Sequence, residues 1–401
     1  MTATGKNILY VVTKLPWPLI GGDRVHIYNY LKELKKRGHD ITIITLVSDD
    51  DDIEGAKEHN EFYTKLIPVK FNKKLAYLNA VKAVFNDKPF IVEYFYSRKM
   101  QKIIDNEIKT GNYDIIIGYM TRSIPYIKKF KNMKKIIHIC DSYTMLYKRR
   151  FTEQKNLFDK FKIWVEYIKT KQYESLACDV SDRQVLIAQK DKECIESFAK
   201  KKDNLVVINW TTDTEYFKPI ECELKNNICM VGSWQYIPNT ESAVEFARNV
   251  FPLIKKEIPD ATFKVIGAKP RPELYEVAKE IEGIVVTGRV DDVREYMKDC
   301  KVSVCPTKIV SGMQTKMLEA MSMGLPIVTT PESAEGVWKD KGILFVGENY
   351  QDYADKVIKL MKDDNLRKEI SEKSRQFILD NLTWNKIGNQ WDNMIQEVIN
   401  G

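Results

Sequence analysis

The segment from Val302 to Thr330 carries the residues best suited to chemistry. An apolar run that ends at Pro306 indicates a buried strand, the loop after it contains Ser311 and Gly312, and a helix is predicted to begin about Met313. A helix that starts just after the carboxyl end of a strand presents unpaired backbone N–H groups and the positive end of its dipole. This arrangement predicts a binding site for a diphosphate.

Three side chains in this segment fit such a ligand. Gly312 lets the backbone approach phosphates without a Cβ in the way. Lys316 lies in the first helical turn, where a cation is unfavourable to the helix dipole unless an anion sits nearby. Glu319, one turn further on, can accept hydrogen bonds from both hydroxyls of a ribose. Taken alone, the pattern is equally that of an ordinary strand-loop-helix unit with a solvated lysine and glutamate.

The elements that must position these residues alternate along the whole chain. Short apolar runs are followed by longer amphipathic stretches, which is typical of parallel sheets covered by helices. The predicted strands are NILYVVT, ITIITLV, YDIIIG, KIIHIC, QVLIA and VVIN in the first half, and ICMVG, TFKVIG, IVVTG, VSVC, PIVTT and ILFVG in the second. Between Val25 and Leu34 apolar residues recur at helical spacing, and Gly38 is a predicted left-handed helix cap.

The length of 401 residues favours two domains. The polar segment Phe217 to Asn227 is the predicted linker, so the fold class is α/β with two Rossmann-like, doubly wound parallel-sheet domains. The predicted ranges are 1–218 for an N-terminal domain and 219–384 for a C-terminal domain, which contains the predicted diphosphate site. A C-terminal helix over 385–401 is expected to pack back on the N-terminal domain.

Composition excludes several classes of protein. The residues are 44% hydrophobic and 30% charged, as in a folded soluble protein, and no apolar run is long enough to span a membrane. We therefore expect a cytoplasmic protein. Seven scattered cysteines without a C-x-x-C pair and only four histidines argue against a disulfide framework and a metal site.

Charge is distributed unevenly along the chain. Residues 1–218 contain 39 basic and 28 acidic residues, and the remainder contains 24 and 28. A basic half suits an anionic membrane surface or a lipid-phosphate-linked acceptor, although a solvated lysine-rich surface explains it equally well. No nucleic-acid-binding module is visible. The aromatic residues between Tyr143 and Glu174 have a spacing more typical of a core-facing stripe than of a membrane-surface helix.

The C-terminal half resembles a known enzyme family. The run K-x-L-E-A-M-x-x-G-x-P-I-V, from Lys316 to Val328, is similar to the donor-binding signature of the family 4 retaining glycosyltransferases, which have the GT-B fold. The resemblance is strong over 228–337 and looser over the first half. The Y-x-P-N sequence that ends at Asn239 is similar to that of sugar transferases associated with exopolysaccharide gene clusters.

The resemblance implies roles for residues on both sides of a donor. Glu319 would bind the ribose, and Gly312 with the backbone after it would hold the diphosphate or the sugar. The set of donor-binding residues that it implies is Gly21, Gly22, Gly232, Ser233, Asn239, Arg289, Val290, Ser311, Gly312, Met313, Gln314, Lys316 and Glu319. Gly21 and Gly22 resemble the glycine-rich loop of the N-terminal domain, and Arg289 and Val290 would lie beside the nucleobase.

Two departures from the family pattern bear on catalysis. Ser311 stands where most members have the first of two glutamates, and Ser233 stands where many have an arginine. A lysine a few residues after Ser233 is also absent. Because the leaving β-phosphate gains negative charge, some cation must stabilise it. Lys316 is the leading candidate and Arg289 the second.

On the acceptor side the family's usual histidine has no certain equivalent. Residues at the carboxyl ends of strands line the cleft of open α/β folds, so Asp141 and Tyr119 are the candidates, with Asp141 also a candidate catalytic residue. Asp23 would begin the helix after the glycine-rich loop. His138, inside a strand, is expected to be a core residue.

The sequence therefore predicts transfer of a sugar from a nucleoside diphosphate to a hydroxyl with retention, without a metal or cofactor, for cell-surface polysaccharide or glycoconjugate synthesis. The partners would be a nucleotide-sugar donor, a saccharide or lipid-linked saccharide acceptor and an anionic membrane contacted peripherally by the basic domain, with no nucleic acid. Two alternatives stay open, a nucleotide-sugar 2-epimerase and an inactive scaffold of the same fold.

Overall fold

The structure, a computed structural model, describes residues 5–19, 22–49, 51–336 and 341–401. It contains two compact units. The first comprises the chain up to Trp210 together with Trp384–Gly401, and the second comprises Thr211–Thr383.

The first unit is built on a seven-stranded parallel sheet in the order β3-β2-β1-β4-β5-β6-β7. Its strands are β1 (Asn7–Val12), β2 (Asp40–Val47), β3 (Lys65–Lys70), β4 (Ile115–Tyr119), β5 (Lys134–Cys140), β6 (Arg183–Leu186) and β7 (Leu205–Val207). Its helices are α1 (Gly22–Lys36), α2 (Ile53–Glu58), α3 (Lys73–Lys82), α4 (Phe90–Tyr94), α5 (Arg98–Thr110), α6 (Ile124–Ile127), α7 (Tyr143–Glu153), α8 (Leu157–Val180) and α9 (Gln189–Glu196), with 3₁₀ turns at Ala83–Phe85 and Thr121–Ser123.

The second unit repeats this plan on a six-stranded sheet in the order β10-β9-β8-β11-β12-β13. Its strands are β8 (Asn227–Val231), β9 (Thr262–Ile266), β10 (Ile284–Gly288), β11 (Cys300–Cys305), β12 (Ile327–Thr329) and β13 (Phe345–Val346). Its helices are α10 (Ile237–Asn249), α11 (Phe251–Glu257), α12 (Pro272–Glu280), α13 (Arg294–Met297), α14 (Thr315–Ser322), α15 (Pro331–Ala334), α16 (Tyr350–Lys362) and α17 (Asp364–Asn381). The predicted fold class of two Rossmann-like parallel-sheet domains is confirmed.

The last helix, α18 (Trp384–Asn400), belongs to the first unit. The Trp391 ring is buried at centroid distances of 4.4 Å from Tyr30 and 4.8 Å from His138. At the same surface Asp392 lies 3.1 Å from His39 Nε2. His138 is a core residue, as expected, and burial lowers its pKa to about 3.

Two sequence expectations are wrong in detail. β3 was not predicted because Pro68 interrupts KLIPVK, and proline is tolerated there because β3 is an edge strand. The aromatic stripe before Glu174 does not face the core throughout, because Leu157, Phe158, Phe161 and Trp164 are exposed. The predicted cap at Gly38 is confirmed by its φ of +86°.

The packing of α18 gives a first prediction. Trp391→Ala removes a fully buried ring and should lower the free energy of unfolding by about 3–5 kcal/mol. The matched control Asn393→Ala lies on the exposed face of the same helix and should change it by less than about 0.5 kcal/mol. Denaturant unfolding curves of both variants measure the difference, and equal losses would contradict this packing.

Candidate functional site

The order in which strands are added to the second sheet reverses between β8 and β11, which are parallel neighbours. The chain adds β9 and β10 on one side of β8 and later places β11, β12 and β13 on the other. The crevice at the carboxyl ends of strands beside such a switch point is where open α/β sheets bind ligands. The loops that follow β8 and β11 both carry predicted donor residues, so the topology brings those residues together.

Both of these loops lead into helices that begin without a side-chain cap. α10 has Tyr236 at its N-cap and α14 has Gln314, and neither side chain accepts a hydrogen bond from the helix start. In contrast, α3, α5 and α16 are capped by Asn72, Ser97 and Asn349. An uncapped N-terminus leaves the positive dipole end, and at α14 also backbone donors, available to an anion; at α10, Pro238 has no N–H and Asn239 N donates to Tyr236 O at 3.1 Å. The helix predicted to begin about Met313 in fact begins two residues later, at Thr315.

Lys316 joins the two loops. Its Nζ donates to Asn239 Oδ1 at 2.9 Å and to Thr307 Oγ1 at 3.3 Å. Both acceptors are neutral, and among the described residues Lys316 makes no ion pair with an acidic side chain. The ammonium is therefore held in place without being neutralised, which leaves its charge for an anionic ligand.

Thr307 is a site residue that sequence reasoning missed. It is buried directly after Pro306, and its carbonyl accepts hydrogen bonds from Thr330 Oγ1 and Ser333 Oγ, both at 2.7 Å. These bonds fix the backbone after β11 so that the Thr307 hydroxyl faces Lys316. A small hydroxyl residue directly after a strand end was the available signal.

Glu319 lies on the same face of α14 as Lys316, one turn on. Burial raises the pKa of its carboxyl to about 7, and the nearby Lys316 charge partly opposes that rise. A carboxylate in such surroundings gains from a hydrogen-bond donor, and a ribose hydroxyl is one.

The loop after β8 is packed tightly against the end of β9. Gly232 N donates to Ile266 O at 3.0 Å, and a Cβ on Gly267, whose φ is +135°, would lie 2.0 Å from the Gly232 carbonyl oxygen. Asn239 Nδ2 also donates to Ser233 O at 3.2 Å. Gly232, Ser233 and Asn239 are thus fixed beside Lys316.

The remaining predicted donor residues lie in the loop before α14 and after the end of β10. Met313 is buried, Gln314 and Ser311 are partly buried, and Gly312 has a φ of +61°. Arg289 and Val290 follow β10, which lies three strand spacings from β11, or roughly 14 Å. Arg289 is exposed there. A cavity of about 520 Å³ lined by Pro306, Lys308 and Thr330 lies beside the site but includes none of the predicted donor residues in its lining.

In the first unit the equivalent switch point lies between β1 and β4. Gly22 begins α1, and Asp23 in its first turn pairs with Lys14 at 3.3 Å. Gly21 lies outside the described residues. Buried Arg24 donates to Trp17 O at 2.8 Å and pairs with Asp51, which holds the loop after β1 in place.

The acceptor-side candidates have contrasting positions. Asp141 follows β5 and is partly buried, next to a break in register at Cys140, where φ is +70°. Met120, directly after β4, has a φ of +62°. Backbone held in this region by residues other than glycine often marks a functional site. Tyr119 is fully buried against His138 and Tyr10, so its ring does not reach the surface of the unit.

Comparison with known proteins agrees with this architecture. HepE of Anabaena, solved in complex with UDP and glucose, superposes with a TM-score of 0.67 at 11% identity, covering 98% of this chain and 99% of that one. The fold is therefore that of the GT-B glycosyltransferases.

Residues 225–363 match the family model described as glycosyl transferases group 1. A 44.6 kDa protein in the cps region of Klebsiella pneumoniae is 24% identical over 95% of this chain and 97% of its own length. An uncharacterised glycosyltransferase of Methanocaldococcus jannaschii is 25% identical over 71% and 72%. The chain is a glycosyltransferase, and the match to the group 1 model lies within its second unit.

The raised pKa of Glu319 predicts how stability depends on pH. Between about pH 4.5 and 7 the folded protein keeps a proton that the unfolded chain has lost, so this carboxyl lowers stability as pH rises through that window. Glu319→Gln should therefore be more stable than the wild type at pH 8, by up to about 3 kcal/mol, and close to it at pH 4. Denaturant unfolding at both pH values measures the difference, and a gap independent of pH would refute the shift.

The close approach at Gly267 gives a second prediction for this site. Gly267→Ala places a methyl group against the Gly232 carbonyl and should cost at least ~2 kcal/mol more than Gly288→Ala. Gly288 has open space around its Cβ position and a φ of +70°, in the left-handed region that other residues tolerate better than the +135° of Gly267. Thermal unfolding of the two variants measures the combined cost of the steric contact and of the less accessible backbone conformation at Gly267.

Proposed function

We propose that this glycosyltransferase transfers a sugar from a nucleoside diphosphate sugar to a hydroxyl of a saccharide or lipid-linked saccharide, with retention of anomeric configuration. The observation that carries this proposal is the Lys316 ammonium, held by Asn239 and Thr307 between the uncapped starts of α10 and α14. A diphosphate is the ligand whose charge and size match two helix N-termini and one ammonium group.

In the proposed reaction the bond between the sugar C1 and the β-phosphate oxygen breaks, and its electron pair stays on that oxygen. Lys316 and the backbone N–H groups of α14 stabilise the charge that develops there. The acceptor oxygen forms the new bond to C1 on the same face, and its proton passes to the departing phosphate. Glu319 holds the ribose throughout.

We infer that no divalent ion takes part. The ammonium of Lys316 and two helix dipoles supply positive charge where a metal would otherwise bridge the phosphates. The chemistry of the site supports this, because the groups bonded to Lys316 are an amide and a hydroxyl, which are poor ligands for Mg²⁺ or Mn²⁺ compared with carboxylates, and the Glu319 carboxylate is assigned to the ribose.

For the acceptor we propose contacts from Asp141 and Asp23 in the first unit, with Tyr119 beneath them. The similarity to a protein of a cps region favours an acceptor of cell-surface polysaccharide synthesis. A 2-epimerase is disfavoured because burial lowers the pKa values of His26 and His138, which keeps both neutral and inside the core.

The test begins with the donor. UDP, GDP, ADP and dTDP are screened for thermal stabilisation, and the corresponding sugar donors are then assayed for hydrolysis and transfer. A nucleotide present at one hundred times its Kd adds about 2.7 kcal/mol to the stability of the protein. Sugar products formed without any acceptor, with inverted C2, would instead establish the epimerase.

Lys316→Ala should lower kcat by about 10²- to 10³-fold, because it removes the ammonium group that we propose stabilises the leaving phosphate. The matched control is Lys308→Ala, in the same loop, whose ammonium is exposed and paired with Glu245 at 2.6 Å. The control should keep nearly wild-type rates, and EDTA should leave both proteins unchanged. Near-normal transfer by Lys316→Ala would remove the role assigned to this residue.

A further inference from the structure

The first two turns of α8 present an uncovered apolar face. Leu157, Phe158, Phe161 and Trp164 recur at helical spacing, and their residues are 47–82% exposed. The Phe161 and Trp164 rings stack on each other at 6.0 Å. Large apolar side chains are usually buried, so several on one helix face indicate a surface that contacts something else.

The helix α3 has an inverted pattern of burial. Its buried residues are the small or polar Ala76, Asn79 and Ala80. Its large apolar residues Leu78 and Val81 point outward and are 65% and 58% exposed. The 3₁₀ turn that follows continues this surface with Val84 and with Phe85, which is 86% exposed.

These two apolar sets lie on adjoining elements. Lys169 of α8 donates to the carbonyl of Ala83, and the Glu166 carboxylate accepts from Phe90 N at 3.1 and 3.2 Å. Trp164 is two residues before Glu166, about 3 Å along the helix axis and on the other side of α8 from the Glu166 contact. The exposed residues of α3, of the turn Ala83–Phe85 and of α8 belong to adjoining elements of the first unit, and we call them together the α3–α8 surface.

The α3–α8 surface is bordered by positive charge. Between Lys70 and Lys102 the chain has eight basic residues and two acidic ones. A cavity of about 570 Å³ at the start of α3 is lined by Lys70, Lys74 and Lys99, and by Leu75 from the apolar set. Lys73 and Asp49 also line it.

Not all of the surrounding lysines are free. Lys88 pairs with Glu93 at 2.6 Å, and Lys162 pairs with Asp159 at 3.0 Å. Within the described residues, however, the ammonium groups of Lys70, Lys74 and Lys99 make no ion pair or hydrogen bond, and the carboxylate of Asp49 faces the same cavity. The net charge beside the apolar surface is positive.

We propose that the α3–α8 surface docks the first unit on an anionic phospholipid bilayer. The apolar side chains enter the headgroup region, as those of interfacial helices do, and the cavity lysines contact lipid phosphates. A bilayer fits better than a second protein because the exposed groups combine long aromatic and aliphatic side chains with unpaired lysines. This inference locates the membrane contact expected from the basic first half of the sequence and does not depend on the donor site.

The experiment is sedimentation of the full-length chain with vesicles of phosphatidylcholine, with and without phosphatidylglycerol. We expect binding to the anionic vesicles that weakens with added salt. The double variant Phe85→Ser, Phe161→Ser changes exposed side chains only, and its partition coefficient should fall by about tenfold or more. The triple variant Lys70→Ala, Lys74→Ala, Lys99→Ala should lose most of the difference between the two vesicle types.

The matched control is Tyr275→Ser, an exposed aromatic on α12 of the second unit, which should bind vesicles like the wild type. Stabilisation by nucleoside diphosphates, measured without vesicles, should be unchanged in all of these variants. A failure of the membrane-docking proposal can therefore be distinguished from a failure of the donor-binding proposal. Equal binding to both vesicle types, or an equal loss in the control, would overturn the proposal. So would a dimer in solution that the Phe85→Ser, Phe161→Ser variant dissociates, because the occupant would then be a second copy.

Discussion

The hydrogen bond from Lys316 to Asn239 links two segments that are 77 residues apart in sequence. It forms because β8 and β11 are neighbours in a parallel sheet, at the point where the strand order reverses. The carboxyl ends of these two strands, and the helices after them, therefore lie side by side. The strands, the tight contact of Gly232 with Gly267 and the buried Thr307 all serve to hold that place rigid. The hydrogen-bond partners of Lys316 are neutral, and in the proposed function a diphosphate supplies the balancing charge.

Alternation of apolar runs and amphipathic stretches was enough to predict both sheets, because buried parallel strands are nearly continuous in hydrophobic residues. It failed at β3, an edge strand in which only Val69 is buried. It also could not locate the start of α14, since the loop before it is shaped by backbone contacts rather than by a capping side chain.

The contacts of the candidate site were accessible from the sequence only in part. Lys316, Glu319 and Asn239 were accessible from spacing and resemblance, and the structure places Lys316 against Asn239. Thr307 was not, because its importance comes from hydrogen bonds to Thr330 and Ser333 in another strand-loop segment. Tyr119 lies at the end of a strand, as the sequence predicts, but its ring points into the core. A shift of one residue in register would have placed it on the other face of the sheet. The exposed aromatic residues of α8 show the same limit for a helix. Their spacing predicts that they share one face, but it does not predict whether that face is buried.

The helix α18 completes the core of the first unit around Trp391, although 173 residues of the second unit precede it in the chain. On the ribosome, the whole of the second unit is synthesised before α18. Tyr30 and His138 therefore lack the Trp391 contact for most of translation, and the domain that is encoded first cannot complete its core until α18 emerges. Chaperones that recognise exposed aromatic surface would meet this protein in that interval.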